Sequence, residues 1–263
     1  MNPAVPTWAG VAASAALVGL TILLAWRGRL NLARDIAVAA VRAGFQLAAV
    51  GAILLLVFHH AGRAGAAGWL AVMVLLAGRV AAKRATGLPR ALPIATASAA
   101  VATATTLGTL LALGVIAPDA RVVIPVGGMV VSGAMQATAL VLVRARDEAH
   151  AARPAIEARL ALGLPSAEAF APHLRSGVRT ALIPAIDSTK VVGLISLPGA
   201  MTGLILAGVD PFTAIRYQIV VMYMLLAAAA LAALTAARLA ERAMFDDAHR
   251  LRPLTSPPSR ARA

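Results

Sequence analysis

Five polar side chains interrupt stretches that are otherwise almost wholly apolar: Arg42, Gln46, Gln136, Asp187 and Lys190. Arg42 lies seven residues beyond Asp35, roughly 10 Å along a helix at ~1.5 Å per residue. Gln136 lies seven residues before Val143, and Asp187 and Lys190 stand one helical turn apart. If each stretch crosses a bilayer, Arg42, Gln136, Asp187 and Lys190 fall at similar depth near one surface, beside Gln46. Polar groups there face a bundle interior or a water-filled cavity. The chemistry open to such a set is binding and passage of a polar solute, and the five form a candidate inner entrance. Two cations and one carboxylate repel a bare divalent metal ion, which prefers carboxylate and imidazole ligands, and suit an anionic chelate. The plain alternative is that Arg42 snorkels to the headgroups while Asp187 pairs with Lys190.

A second group lies in a polar stretch, Glu157-Ala158-Arg159-Leu160-Ala161-Leu162-Gly163. Leu160, Leu162 and Leu164 can supply an apolar contact and Glu157 and Arg159 a polar rim, with Gly163 ending the segment. This suits docking on a soluble partner, or an amphipathic helix lying on the bilayer surface. A third group, Pro198-Gly199-Ala200-Met201-Thr202-Gly203, holds a GxxxG pair that permits close helix approach, and a proline able to hinge a helix. Either close packing or a gate fits it. His59, His60, Asp119 and Asp210 fall at the opposite surface, as a candidate for a metal exit site or as ordinary interfacial residues. No cysteine is present, and the only lysines are Lys83 and Lys190, so no phosphate-binding glycine loop with its lysine can form. No cofactor is expected, and the chain is not expected to be an enzyme.

The elements that position these residues follow from composition. Hydrophobic residues make up 60% of the chain and charged residues 13%, against about a quarter charged in soluble domains. A formal net charge of +13 could suggest nucleic acid, but the charges fall in short clusters between long apolar runs, which is the pattern of membrane loops. No nucleic-acid partner is expected. The fold class is therefore an all-α, polytopic transmembrane bundle. Seven runs approach the ~20 residues a spanning helix needs: about 8–26, 35–58, 65–82, 91–116, 122–143, 187–208 and 216–237. Nineteen of the 24 Lys and Arg fall in the loops of one side, while Arg63, Arg121 and Arg216 fall on the other. The positive-inside rule then puts the N-terminus outside and the C-terminus in the cytoplasm. Residues 1–245 form one membrane domain, with a cytoplasmic loop at 144–186 that splits into two helical pieces near Gly163–Ser166. Residues 246–263 read as a disordered tail.

The run Ala181-Leu182-Ile183-Pro184-Ala185-Ile186-Asp187 leads into Gly193-Leu194-Ile195-Ser196-Leu197-Pro198-Gly199-Ala200-Met201-Thr202-Gly203, followed by Ile205-Leu206-Ala207-Gly208, Asp210-Pro211 and Tyr217-Gln218-Ile219. With Leu160-Ala161-Leu162-Gly163 and with Arg42 before Gln46-Leu47, this resembles the FetB-type family of ABC transporter permeases, and the plant half-transporters of aluminium tolerance are similar. Glu157 with Gly163 six positions on also resembles the coupling element of ABC permeases. One departure stands in the fifth span: where the family pattern places Gly-Asn before Met, this chain has Ser132-Gly133-Ala134-Met135-Gln136, so the amide has moved or been lost. The resemblance implies export of iron or a related metal from a bacterial inner membrane, a homodimer, and a separate ATPase subunit as partner. The rival expectations are a self-sufficient secondary transporter and a non-transporting membrane scaffold.

Overall fold

The computed structural model describes residues 7–60 and 62–254, without the side chains of 52–60 and 63. Among these residues the chain folds into helices and two isolated bridges: α1 (Trp8–Arg27), α2 (Ala33–His60), α3 (Gly62–Arg84), α4 (Ala91–Ala112), α5 (Ala120–Ala151), α6 (Arg153–Ala161), α7 (Ser166–Val191), α8 (Gly199–Leu206) and α9 (Pro211–Met244). Five of them are long and apolar enough to cross a membrane: α1, α3 from Ala64, α4, α5 and α9. These account for five of the seven expected spans.

The chain divides into two compact units, Met1–Gly62 and Arg63–Ala263. In the first, α1 packs against α2, Ala25 is buried, and Leu17, Leu20, Leu23 and Leu24 stay exposed. Such an apolar helix is at home where lipid replaces protein as its neighbour.

In the second unit α5 is central, packing against α4, α7 and α9. Small residues set the spacing. On α9, Ala228, Ala229, Ala232, Ala233, Ala236, Ala237 and Ala240 are all buried. Association of helices in lipid rests on such close van der Waals approach rather than on expelling water. On α3, a Cβ added to Gly78 would lie 2.8 Å from the Cα of Thr96 on α4, so only glycine allows this crossing. Pro125 sits inside α5 and Pro184 inside α7, each removing one N–H from the helical ladder.

The expected sixth span, 187–208, is not one helix. Helix α7 stops at Val191. The chain then turns through Gly193 (φ +83°), where the Gly193 N–H donates to the Ser196 carbonyl at 2.9 Å, and restarts as the eight-residue α8. Leu194 at the tip is 89% exposed. Mean hydropathy hid the break because both arms and the turn are apolar. The expected two-piece loop does split at Gly163, which has φ +88°. However, α5 runs on to Ala151, so the polar segment is built from the end of α5, α6 and the first half of α7.

The tail expected to be disordered from residue 246 instead begins with a folded turn. Phe245 bridges to Leu251, and the Asp246 carboxylate accepts from the backbone N–H groups of Ala248 and Arg250 at 3.0 and 2.8 Å. Leu251 is buried against the core. Pro257 and Pro258 lie outside the described residues.

Candidate functional site

Helices α5, α7 and α9 enclose a cleft of about 610 Å³. Helix α7 runs antiparallel to α5: a Cβ on Gly177 would sit 3.4 Å from the Cβ of Arg144, where the apolar part of α5 ends. Ser188 lies eleven residues further on, roughly 16 Å along the helix at ~1.5 Å per residue. The cleft therefore lies well inside the apolar stretch of α5, lined there by Ser132, Gly133 and Gln136. Its α7 wall carries Pro184, Ser188 and Thr189, and α9 contributes Met222 and Leu225. Ser132 and Gln136 are exposed, so the cleft opens on that side.

None of the lining residues is ionisable, and the polarity comes from hydroxyls, one amide and two thioethers, those of Met129 and Met222. The two hydroxyls on α7 are oriented by their own helix. Ser188 Oγ donates to the Pro184 carbonyl at 2.7 Å, and Thr189 Oγ1 donates to the Ala185 carbonyl at 2.8 Å. A hydroxyl has a single proton, so both oxygens keep only lone pairs for any further partner. Both residues stand in the last turn of α7, where the helix dipole places partial negative charge.

The residues expected at an inner entrance divide. Gln136 lines the cleft. Asp187 and Lys190 do not: they pair with each other at 3.7 Å, with side chains 60% and 70% exposed, as the plain reading has it. Arg42 and Gln46 are exposed on α2, in the N-terminal unit. The lining residues missed in the sequence are Ser188, Thr189, Met129 and Met222. The available signal was Pro184, since a proline inside an apolar helix marks a break in its ladder.

The coupling candidates lie around the α6–α7 turn. Glu157 accepts from Arg153 Nε at 2.7 Å, one turn back on the same helix. Arg159 turns inward and donates to the Ala169 carbonyl at 3.1 Å. Leu160 and Leu164 pack against the core, so the expected three-leucine contact reduces to Leu162, which is 80% exposed. Behind this turn His249 Nδ1 lies 3.3 Å from the backbone N–H of Ser166, the first residue of α7, and 3.0 Å from its Oγ. The C-terminal turn thus braces the start of α7.

The third group is placed differently from expectation. Pro198 is the cap residue before α8, with φ −64° and ψ 143°, and so hinges no helix. A Cβ on Gly199 or Gly203 would meet nothing within 4 Å, so the GxxxG pair makes no close approach within the described chain, and Met201 is half-buried on the same helix. Asp119 and Asp210 are helix caps: Asp119 accepts from the Arg121 N–H and Asp210 from the Thr213 N–H, each at 3.0 Å. No group of three or more potential metal ligands forms among the described residues. The side chains of His59 and His60 lie outside them.

A sequence model of the uncharacterised protein family UPF0014 matches residues 8–245. The chain belongs to this family. Among its UPF0014 relatives, the membrane protein STAR2 of Oryza sativa subsp. japonica is 38% identical over 91% of this chain and 84% of its own length. The protein named ALUMINUM SENSITIVE 3 of Arabidopsis thaliana is 34% identical over 91% of this chain and 88% of its own length. The probable iron export permease protein FetB of Escherichia coli K12 is 36% identical over 89% of this chain and 91% of its own length. No solved structure matches the chain. The UPF0014 match takes in the cleft and the α6–α7 turn, and stops before Asp246.

Proposed function

We propose that this UPF0014 protein is the membrane-spanning permease subunit of an ABC transporter that exports iron or a related metal species. A separate ATPase subunit supplies the energy, and two copies of this chain work as a homodimer in a bacterial inner membrane. The observation that carries the reading is the cleft between α5, α7 and α9: open, carrying the polar side chains Ser132, Gln136, Ser188 and Thr189 among apolar ones, and set deep in an apolar stretch at the end of an interrupted helix. Discontinuous helices of this kind build substrate sites in transporters. The name of the Escherichia coli relative supports both the permease role and the metal. Leu162 offers a partner an exposed apolar knob on a turn braced from behind by His249. The UPF0014 chain itself carries no glycine-rich phosphate loop with lysine.

The test is metal efflux from cells loaded with Fe²⁺, expressing this chain, its ATPase subunit, or both. Efflux is expected only with both. Leu162→Asp should reduce it at least tenfold and stop copurification of the ATPase, with the amount of permease in the membrane unchanged. Efflux by this chain without an ATPase would make it a secondary transporter. ATPase binding without any flux would make it a scaffold.

A further inference from the structure

The chemistry of the cleft specifies how a metal would be held, an inference that rests on the transport reading above. A site for a dehydrated Fe²⁺ needs carboxylate or imidazole ligands, and none of the lining residues supplies one. A site for an anion needs positive charge or N–H donors. The α7 wall offers the opposite, since Ser188 and Thr189 have given their only protons to the Pro184 and Ala185 carbonyls, and across the cleft the only side-chain donors are the Gln136 amide and the Ser132 hydroxyl, neither of them charged. What remains facing outward is lone pairs, at the partially negative end of a helix that stops inside the apolar stretch. Lys190 does not reverse this field, because Asp187 accompanies it at 3.7 Å.

We infer that the cleft binds a divalent cation with its water shell intact, through hydrogen bonds from the bound waters to the oxygens Ser188 Oγ, Thr189 Oγ1, Ser132 Oγ and Gln136 Oε1. Water bound to a cation is a strong hydrogen-bond donor, so uncharged oxygen acceptors suffice where no inner ligand is present. Size agrees. With metal–oxygen distances of ~2.1 Å and a water radius of ~1.4 Å, a hexahydrated ion fills about 180 Å³, against a cleft of about 610 Å³. The competing use of the cleft is a soft ion held by the thioethers of Met129 and Met222.

Mn²⁺ binding to the purified full chain in lipid nanodiscs, in competition with cobalt(III) hexaammine, separates these modes. The hexaammine ion has the shape and outward hydrogens of a hydrated cation but does not release its ligands. It is expected to displace Mn²⁺ fully. The double variant Ser188→Ala/Thr189→Val should weaken both ions at least tenfold, and Ser188→Thr/Thr189→Ser, which keeps the hydroxyls, should restore binding. Met129→Leu/Met222→Leu should leave it unchanged. Mn²⁺ binding that resists the hexaammine ion, or that is lost with the thioethers and kept without the hydroxyls, would overturn the inference and leave the transport reading standing. Absence of Mn²⁺ binding in a chain that still exports iron with its ATPase would overturn it too. Absence of ATPase-dependent efflux is the separate failure of the transport reading.

Discussion

At the scale of single residues, position in the hydrogen-bond network decides what a side chain can do. Ser188 and Thr189 become acceptors because the helix has taken their protons, while Asp119 and Asp210, which looked like metal ligands, are spent on capping. Asp246 shows the same logic outside the membrane-spanning helices. The backbone N–H of Arg250, the largest influence, holds its carboxyl below the usual carboxylate range, helped by the Arg250 side chain and the Ala248 N–H. A depressed folded-state pKa means stability that is present above the unfolded value of ~3.9 and lost as the pH falls through the lower folded value. The turn at 245–251 should therefore hold through neutral pH and loosen in acid below that ordinary value. Protection factors of the amides of residues 245–251, relative to the free-peptide rate at each pH, should fall there, and Asp246→Ala should lower them already at pH 7. Equal protection in the variant and the wild type would mean that the Phe245–Leu251 bridge holds the turn without the carboxylate.

At the scale of elements, glycine spacing alone misleads, because what a glycine admits depends on what approaches it. The GxxxG pair Gly199–Gly203 faces open space, whereas Gly78, which no motif flagged, lies against the backbone of α4. Gly78→Ala should cost about 1–3 kcal/mol, the usual range for overpacking, because the neighbour is a Cα and not a movable side-chain tip. Gly203→Ala, inside α8, should be neutral or stabilise by up to about 1 kcal/mol from helix propensity. Thermal unfolding of the detergent-solubilised chain checks the pair, and equal effects would remove the distinction. The same contrast explains what could be read from sequence. The long apolar helices were legible because lipid demands ~20 apolar residues in a row, and the Gly163 break was legible because Pro165 and Ser166 follow it closely within a polar segment. The end of α7 at Val191 was not legible: Val192, Leu194, Ile195 and Leu197 keep the run apolar through a turn that depends on the backbone of Gly193. The cleft was half legible. Gln136 stands out by type, whereas Ser188 and Thr189 are ordinary residues until the helix orients them and then stops.

At the scale of the whole chain, the distribution of charge predicts an orientation, and the second unit adds an independent constraint. The Arg-rich segment 144–186 and the C-terminal turn come from distant parts of the sequence, yet they meet where Ser166 lies against His249; within the segment Gly177 lies against Arg144, and Arg146 reaches the Thr86 carbonyl at 2.7 Å between α3 and α4. The clusters at 79–90, 144–179 and 238–252 therefore lie at one end of this unit. A single side of the membrane must take them all, because a folded unit does not place touching segments on opposite sides. The positive-inside rule predicts that this side is the cytoplasm, where the proposed ATPase subunit would have to meet Leu162. A reporter active only in the cytoplasm should therefore work when fused after Leu254, and one active only after export should work when inserted at Gly208, between α8 and α9. The sharper measurement is cysteine labelling of the full chain in intact cells, since the protein has no cysteine of its own. An impermeant maleimide should label Gly208→Cys from outside and leave Leu162→Cys untouched until the membrane is opened. Labelling of Leu162→Cys in intact cells would place the whole Arg-rich end outside, and with it would fall the proposal that this end docks an ATPase.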